Sequence, residues 1–393
     1  MKICIVVVSF PNVSETFILN KVAALASHGH KVQVVCEKRE NVGAFYEAYS
    51  IKSSQVTVHN LLLPTSIASI LKQLVLHPAL LVQSFSLSSN EFKKRFKDNF
   101  YIAFFSKLKP DIIHFEFSGL GVSFLSIIDH LKYKSVVSCR GTAEKLKLQF
   151  DEKRKVGLTT LFSKVDLIHC VSNDMKLTIL PYCTNTEKIF INTPAIDPNF
   201  FQPVIHKKQN TKLVIVSVGR LTFLKGYIIG FLAMKELKAK GIEFEWKIIG
   251  DGSDMELLLF HRQYLNLKNE VFLLGKRNKE EINEILGSAD IFMLTSFSEG
   301  IPNVVLEAMS KELPVVCSKC GGIEEVITQE EDGFLADIYD YESIAKYIIM
   351  LADNDALRKK IGVNARKKIT EKFTLQQQTQ IFEKHYRTIL QKK

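Results

Sequence analysis

This 393-residue chain has no G-x-G-x-x-G fingerprint. Its nearest approach, "GDGSDM", lacks the spacing and lies deep in the second half, which excludes a nicotinamide-binding site of that type. The seven cysteines are odd in number and scattered, a pattern that suits a reducing cytoplasm better than a disulfide framework. Cys317 and Cys320 form a lone C-x-x-C with no further zinc ligand at suitable spacing and no thioredoxin-like order around it. A single D-x-D, Asp353–Asp355 in "LADNDALRKKIG", reads as the cap region of a surface helix. Long lipophilic runs are also missing. The longest, "LLLPTSIASILKQLVLHPALLV", is broken by Lys72, His77 and two prolines and makes a poor membrane span. The opening "MKICIVVVSFPNVSETF" has too short an apolar run, and no small-residue cleavage site, for a secretory signal. No zinc-finger spacing, RRM signature or dense arginine patch is present, so nucleic acid is not an expected partner. No repeat of 20–50 residues stands out.

What is present describes a globular protein of two domains. Apolar residues make up 46% and charged residues 24%, and the length exceeds one ordinary core. The net charge of +10 is uneven: residues 1–200 hold 24 Lys/Arg against 16 Asp/Glu, and the remainder 28 against 26. A basic first half points to an anionic partner such as membrane lipid or a lipid diphosphate. Short, continuous apolar runs recur between helix-length segments, first in "ICIVVVSF", "KVQVVCE", "DIIHFEF", "SVVSCRG" and "DLIHCVS". A second series is "KLVIVSVGR", "FEWKIIGDG", "EVFLLGK", "DIFMLTS" and "LPVVCSKCGG". Such runs predict parallel sheets covered on both faces. The pattern restarts near residue 211, so an α/β architecture of two doubly wound domains is expected, 1–200 and 205–372. A last helix in 373–393 is expected to pack back on the first domain.

Ligands of such sheets sit beyond the carboxyl ends of strands. In "VSVGRLTFLKG", Arg220 and Lys225 flank a helix start, an arrangement suited to a diphosphate. "LLGKRNKEEINEIL" places Lys276 and Arg277 after another strand. "FSEGIPNVVLEAM" holds Glu299 and Glu307 around a Gly-Ile-Pro-Asn turn. Asn303 is expected to cap the helix that follows, and Val304, Val305, Leu306, Ala308 and Met309 surround its whole circumference. Glu307 is therefore expected to be buried, needing either a protein cation or a ligand's hydroxyls as partner.

The order and spacing of these strand ends resemble the retaining family-4 glycosyltransferases of the GT-B fold, in which two Rossmann-like domains face each other across a cleft. Glu299…Glu307 fits that family's E-x7-E motif. "GRLTFLKG", "CGGIEEVI" and "FTLQQQTQIFEKHYRTIL" match as well, and "SFPNVSETFILNKVAAL" is similar to a subgroup that builds extracellular and capsular polysaccharides. The resemblance covers nearly the whole chain. It implies that Glu307 binds the ribose of a nucleotide-sugar and that Glu299 contacts the transferred sugar. Arg220, Lys225 and the amides around Pro302, Asn303 and Val304 would hold the diphosphate, with Gly300, Ile301 and Arg277 also on the donor side. It further implies retention of configuration, no metal and no cofactor, with UDP among the expected donor nucleotides.

The first domain departs from that pattern. The loop after the first strand, "FPNVSETF", has none of the glycines usual there, so Ser14, Glu15 and Thr16 would meet acceptor or phosphate with side chains. Arg140 stands where a histidine is common, and arginine cannot shuttle protons. His114 and Glu116 end another strand. His114 reads equally as a packed core residue or a substrate contact, while Glu15 and Glu116 are candidate acceptor-side bases. In "SNEFKKRFKDNFYIAFFSKLK", Phe92, Phe96, Phe100 and Phe104 recur every four residues among cations. That stripe suits either an anionic bilayer surface or the domain core. The reading is a cytoplasmic glycosyltransferase, peripheral on the inner face of the membrane, that acts on a glycan or lipid-linked glycan. An epimerase of the same fold and a non-catalytic nucleotide-sugar-binding partner are the alternatives.

Overall fold

The computed structural model describes residues 1–12, 15–61, 89–131, 133–204 and 212–392. The chain divides into two compact units. The first comprises Met1–Cys170, Thr178–Phe190 and Thr379–Lys393; the second comprises Val171–Leu177 and Ile191–Gln378. The chain therefore changes unit near residue 190, ahead of the expected 200–205. The reason is that residues 191–200 lead into the second core: Ile196 bridges to Thr374, and Ile196 and Phe201 are both buried in that core. The closing helix, Leu375–Gln391, begins with the second unit and from Thr379 onward belongs to the first.

In the first unit the strands are β1 (Lys2–Phe10), β2 (Lys31–Arg39), β3 (Val56–Asn60), β4 (Ile112–Phe115), β5 (Lys134–Cys139), β6 (Leu167–Cys170) and β7 (Ile189–Ile191). They lie in the order β3-β2-β1-β4-β5-β6-β7, with parallel pairing throughout β1 to β6. The second unit has β8 (Leu213–Val218), β9 (Phe244–Ile249), β10 (Val271–Gly275), β11 (Ile291–Leu294), β12 (Val315–Ser318) and β13 (Phe334–Ala336). Its order is β10-β9-β8-β11-β12-β13, all parallel. Each sheet reverses its winding once, between β1 and β4 and between β8 and β11. The strand ends at those two points are where a ligand crevice opens in this architecture.

The unbroken apolar runs follow from cores on both sheet faces. Along β8, Val214, Val216 and Val218 enter one core of the second unit while Ile215 enters the other. The single tryptophan, Trp246, is fully buried, and its indole N–H donates to the Ser217 hydroxyl at 2.9 Å.

The helix Ser89–Leu108 places its stripe differently from the phenylalanine spacing. Tyr101, Phe105 and Leu108 are buried, Tyr101 stacking on Phe124 at 5.1 Å, while Phe96, Phe100 and Phe104 are only half-buried. The Phe92 side chain and Ser14, as well as most of the lipophilic run that starts at Leu61, lie outside the described residues. No described helix is long and apolar enough to cross a membrane.

Candidate active site

At the winding reversal of the second unit, β8 leads through Arg220 into a short 3-10 turn, Phe223–Lys225, and then into the helix Tyr227–Ala239. Gly226 joins the two with φ of +59°, and a Cβ there would sit 2.0 Å from the Thr295 carbonyl oxygen. Only glycine permits both the left-handed turn and that approach. The turn delivers Lys225, whose Nζ lies 2.6 Å from Glu299 Oε1. The Ser296 hydroxyl donates to the same oxygen at 2.7 Å. Both charged side chains remain about one-sixth exposed (17% and 14%), so a ligand can reach the pair. Arg220 is exposed, and no described residue pairs with its guanidinium. Arg277 is half-buried and reaches Glu281 at 3.9 Å, beside a capping box formed by Asn278 and Glu281.

The turn after Glu299 is braced from β12. Gly321, at φ of +66°, packs so closely that a Cβ would fall 2.0 Å from the Glu299 carbonyl oxygen, and the Gly322 N–H donates to the Gly300 carbonyl at 2.7 Å. Gly300, Ile301 and Pro302 are buried, and the helix Asn303–Ser310 starts at once. Its N-cap is Pro302 rather than Asn303, with no side-chain cap. Proline's fixed φ supplies the extended cap conformation and moves Asn303 into the first helical position. The Asn303 and Val304 amides, in the first turn, have no intrahelical acceptor and are available to an anion.

Glu307 lies on that helix between fully buried Leu306 and Ala308 and is 8% exposed. Burial pushes its carboxyl up to about 7, against the pull of the Lys279 ammonium. No described residue hydrogen-bonds or ion-pairs with this carboxylate. Lys279 opens the helix Lys279–Ser288, with its Nζ 4.1 Å from the centre of the Phe200 ring. Burial lowers its pKa, while Glu307 and Asp197 oppose the shift.

The strand ends of the first unit hold a buried ionic network. Glu116, just beyond β4, is fully buried between Lys21 at 2.5 Å and the guanidinium of Arg140. Burial alone would raise its carboxyl, but Lys21 and Arg140, with His114, hold it well below the usual carboxylate range. Arg140, just beyond β5, also donates from Nε to the Glu116 carbonyl at 3.2 Å and lies 4.3 Å over the Phe17 ring. His114 receives the Tyr386 hydroxyl and the Lys21 ammonium at Nδ1, at 2.6 and 2.9 Å, and meets Ser138 through Nε2 at 2.7 Å. Burial, with Lys21, drives its pKa well below the ordinary value. Lys21 is itself lowered to about 8 by burial, against the attraction of Glu116.

Two family descriptions match successive halves of this chain. "Glycosyltransferase Family 4" covers residues 14–200 and "Glycosyl transferases group 1" covers residues 199–368. The chain belongs to these glycosyltransferases. Among curated relatives, the amylovoran biosynthesis glycosyltransferase AmsK of Erwinia amylovora is 28% identical over 95% of this glycosyltransferase and 96% of its own length. An Escherichia coli UDP-Gal:alpha-D-GlcNAc-diphosphoundecaprenol alpha-1,3-galactosyltransferase is 31% identical over 51% of each chain. Among solved structures, Anabaena HepE in complex with UDP-glucose superposes with a TM-score of 0.77 at 17% identity, over 99% of this chain and 100% of that one. The fold of the glycosyltransferase is thus GT-B.

The geometry sorts the expected site residues. In the second unit it brings together Lys225, Glu299 and the Gly300–Val304 turn, with Glu307 on the helix that follows. Ser296, Lys279 and the bracing Gly321 were not foreseen. The Gly-Gly pair was visible in "CGGIEEVI", but its packing against Glu299 was not. In the same motif Glu325 accepts the Asn173 and Asp174 amides at 2.8 and 2.9 Å, capping the start of the helix Asn173–Ile179, far back in the chain. In the first unit, Glu116 is not placed as a base, because two cations keep it ionised and weakly basic. His114 is a packed core histidine. Glu15 and Thr16 stand at the start of the helix Thr16–Ser27, half-buried. Lys21, the centre of the network, carries no sequence signal beyond being the one cation in a mostly apolar helix, Thr16–Ser27.

Proposed function

We propose that this glycosyltransferase moves a sugar from a nucleotide-diphosphate sugar, of the UDP type, onto a lipid-linked glycan during cell-surface polysaccharide synthesis, with retention of configuration and without a metal ion. The observation that carries this reading is Glu307, a buried carboxylate with no hydrogen-bonding partner among the described residues. A ribose diol offers it two O–H donors, the arrangement that best offsets the burial of an anion. Glu299 would meet hydroxyls of the transferred sugar. Lys225, Arg220 and the Asn303 and Val304 amides would hold the diphosphate, with Arg277 flanking the nucleotide. As the glycosidic bond breaks, the leaving diphosphate gains negative charge, and fixed cations and amide dipoles stabilise it without reorganising. In the first unit, Arg140 is fixed on Phe17 and Glu116 in a posture suited to an oxygen of sugar or phosphate. The names of AmsK and of the galactosyltransferase support polysaccharide synthesis and a lipid-diphosphate acceptor. The basic first half supports work at an anionic membrane surface on the cytoplasmic side.

A thermal-shift panel of UDP-, GDP- and ADP-sugars, each with and without EDTA, tests the donor. One nucleotide class stabilises the wild type, by about 2.7 kcal/mol at one hundred times its Kd. The shift persists in EDTA and is lost in Glu307→Gln. A shift that is unchanged in that variant would overturn the assignment. The anomeric configuration of the product, read by NMR, tests retention.

A further inference from the structure

Three aromatic side chains rim the strand ends of the second unit beside the Lys225–Glu299 pair. Phe223 lies in the turn that delivers Lys225 and is 66% exposed. Phe297 lies two residues before Glu299, and its ring edge would be 3.1 Å from a Cβ on Gly226. Its N–H donates to the Leu224 carbonyl at 2.8 Å, so the Phe223 turn and the Glu299 loop are fastened together. Tyr339, three residues beyond β13, is 66% exposed and lies against Phe297 with ring centres 4.7 Å apart.

Tyr339 has φ of +74°. A bulky residue in the left-handed region costs of order 1–3 kcal/mol, and such outliers cluster at ligand sites. Exposing two large rings is a further cost that the fold of this unit does not require, since neither Phe223 nor Tyr339 belongs to its cores. Polar groups flank the rings: Lys319 and Asp337 pair at 3.1 Å on the surface, with Asp337 76% exposed, and Asp340 caps the next helix. Flat apolar faces bordered by carboxylates and an ammonium suit a pyranose ring. Its C–H face covers an aromatic ring while its hydroxyls donate to carboxylates and accept from lysine.

We infer that Phe223, Phe297 and Tyr339 form a stacking subsite for a sugar unit of the acceptor glycan, outside the donor pocket. This rests on the donor reading above only for naming the glycan as acceptor; the binding itself does not depend on it.

The test is saturation-transfer NMR with lactose, N-acetyllactosamine and cellotetraose, each recorded with and without saturating UDP-glucose. The wild-type protein is expected to transfer saturation to ring protons of at least one saccharide in both conditions. A Phe223→Ser, Tyr339→Gly variant is expected to bind it about tenfold more weakly, the loss of roughly one to two ring contacts. The glycine relieves the left-handed strain, so the variant should melt no lower than wild type and should keep its UDP-glucose thermal shift. An undiminished signal in the variant, displacement of the saccharide by UDP-glucose, or no signal from the wild type would each overturn the subsite. A wild type that binds saccharide but shows no nucleotide-sugar shift would instead defeat the donor reading and leave the subsite standing.

Discussion

Glu307 shows how one buried charge links stability to ligand. Its carboxyl titrates near 7, raised from 4.5 by burial. A raised acid binds protons more readily in the native state, so the folded protein loses stability as pH climbs from about 4.5 through 7 and regains none above it. The shift corresponds to roughly 3 kcal/mol at about 1.4 kcal/mol per unit. Comparing wild type with Glu307→Gln isolates this group. Without nucleotide, the variant should gain in relative melting temperature between pH 5 and 8 while losing its nucleotide shift. A pH-independent difference would show that the carboxylate is already neutralised inside the protein. Lys225 gives the complementary case. Lys225→Met should lower kcat by 10²–10³, roughly 3–4 kcal/mol, by analogy with the loss of one fixed oxyanion donor. A rise in KM with kcat unchanged would mean that the ammonium binds ground state and transition state alike.

At the scale of elements, the parallel strands and the loops that carry Lys225, Glu299 and Glu307 were legible because each rests on local chemistry, whereas the order of the strands within each sheet was not. Continuous apolar runs specify buried parallel strands, and Gly-turn-cation sequences specify helix starts. What the sequence could not convey were contacts made at a distance. The phenylalanine stripe of Ser89–Leu108 repeats every four residues, yet the core takes the neighbouring face, Tyr101–Phe105–Leu108, because Phe124, in the turn between two later short helices, packs there. Phe105→Ala should therefore cost about 3–5 kcal/mol in urea unfolding. Phe100→Ser, on the half-buried face, should cost well under half as much. Equal losses would restore the stripe as core. Lys21 was invisible for the same reason: its partners Glu116 and His114 are more than 90 residues away.

At the scale of the whole chain, the first unit is completed only by the last residues. Phe382, Tyr386 and Ile389 are at most 3% exposed and belong to its core, and Tyr386 donates to His114 at 2.6 Å. Glu383 holds His28 and His30 at 3.0 and 2.7 Å. Burying three large apolar side chains contributes about 1.5–3 kcal/mol each. The sum approaches the entire stability of an ordinary domain, 5–15 kcal/mol. The second unit draws none of these side chains into its two cores. A chain ending at Gln378 should therefore lose cooperative folding of residues 1–170 while the second unit stays folded. Limited proteolysis would then release a resistant fragment starting near residue 191 that keeps its nucleotide-sugar thermal shift, because the proposed donor residues all lie within 220–307. If the truncated chain instead melts in one transition at the wild-type temperature, the returning helix is an ornament on the first unit, and the His114–Tyr386 contact carries no weight in its stability.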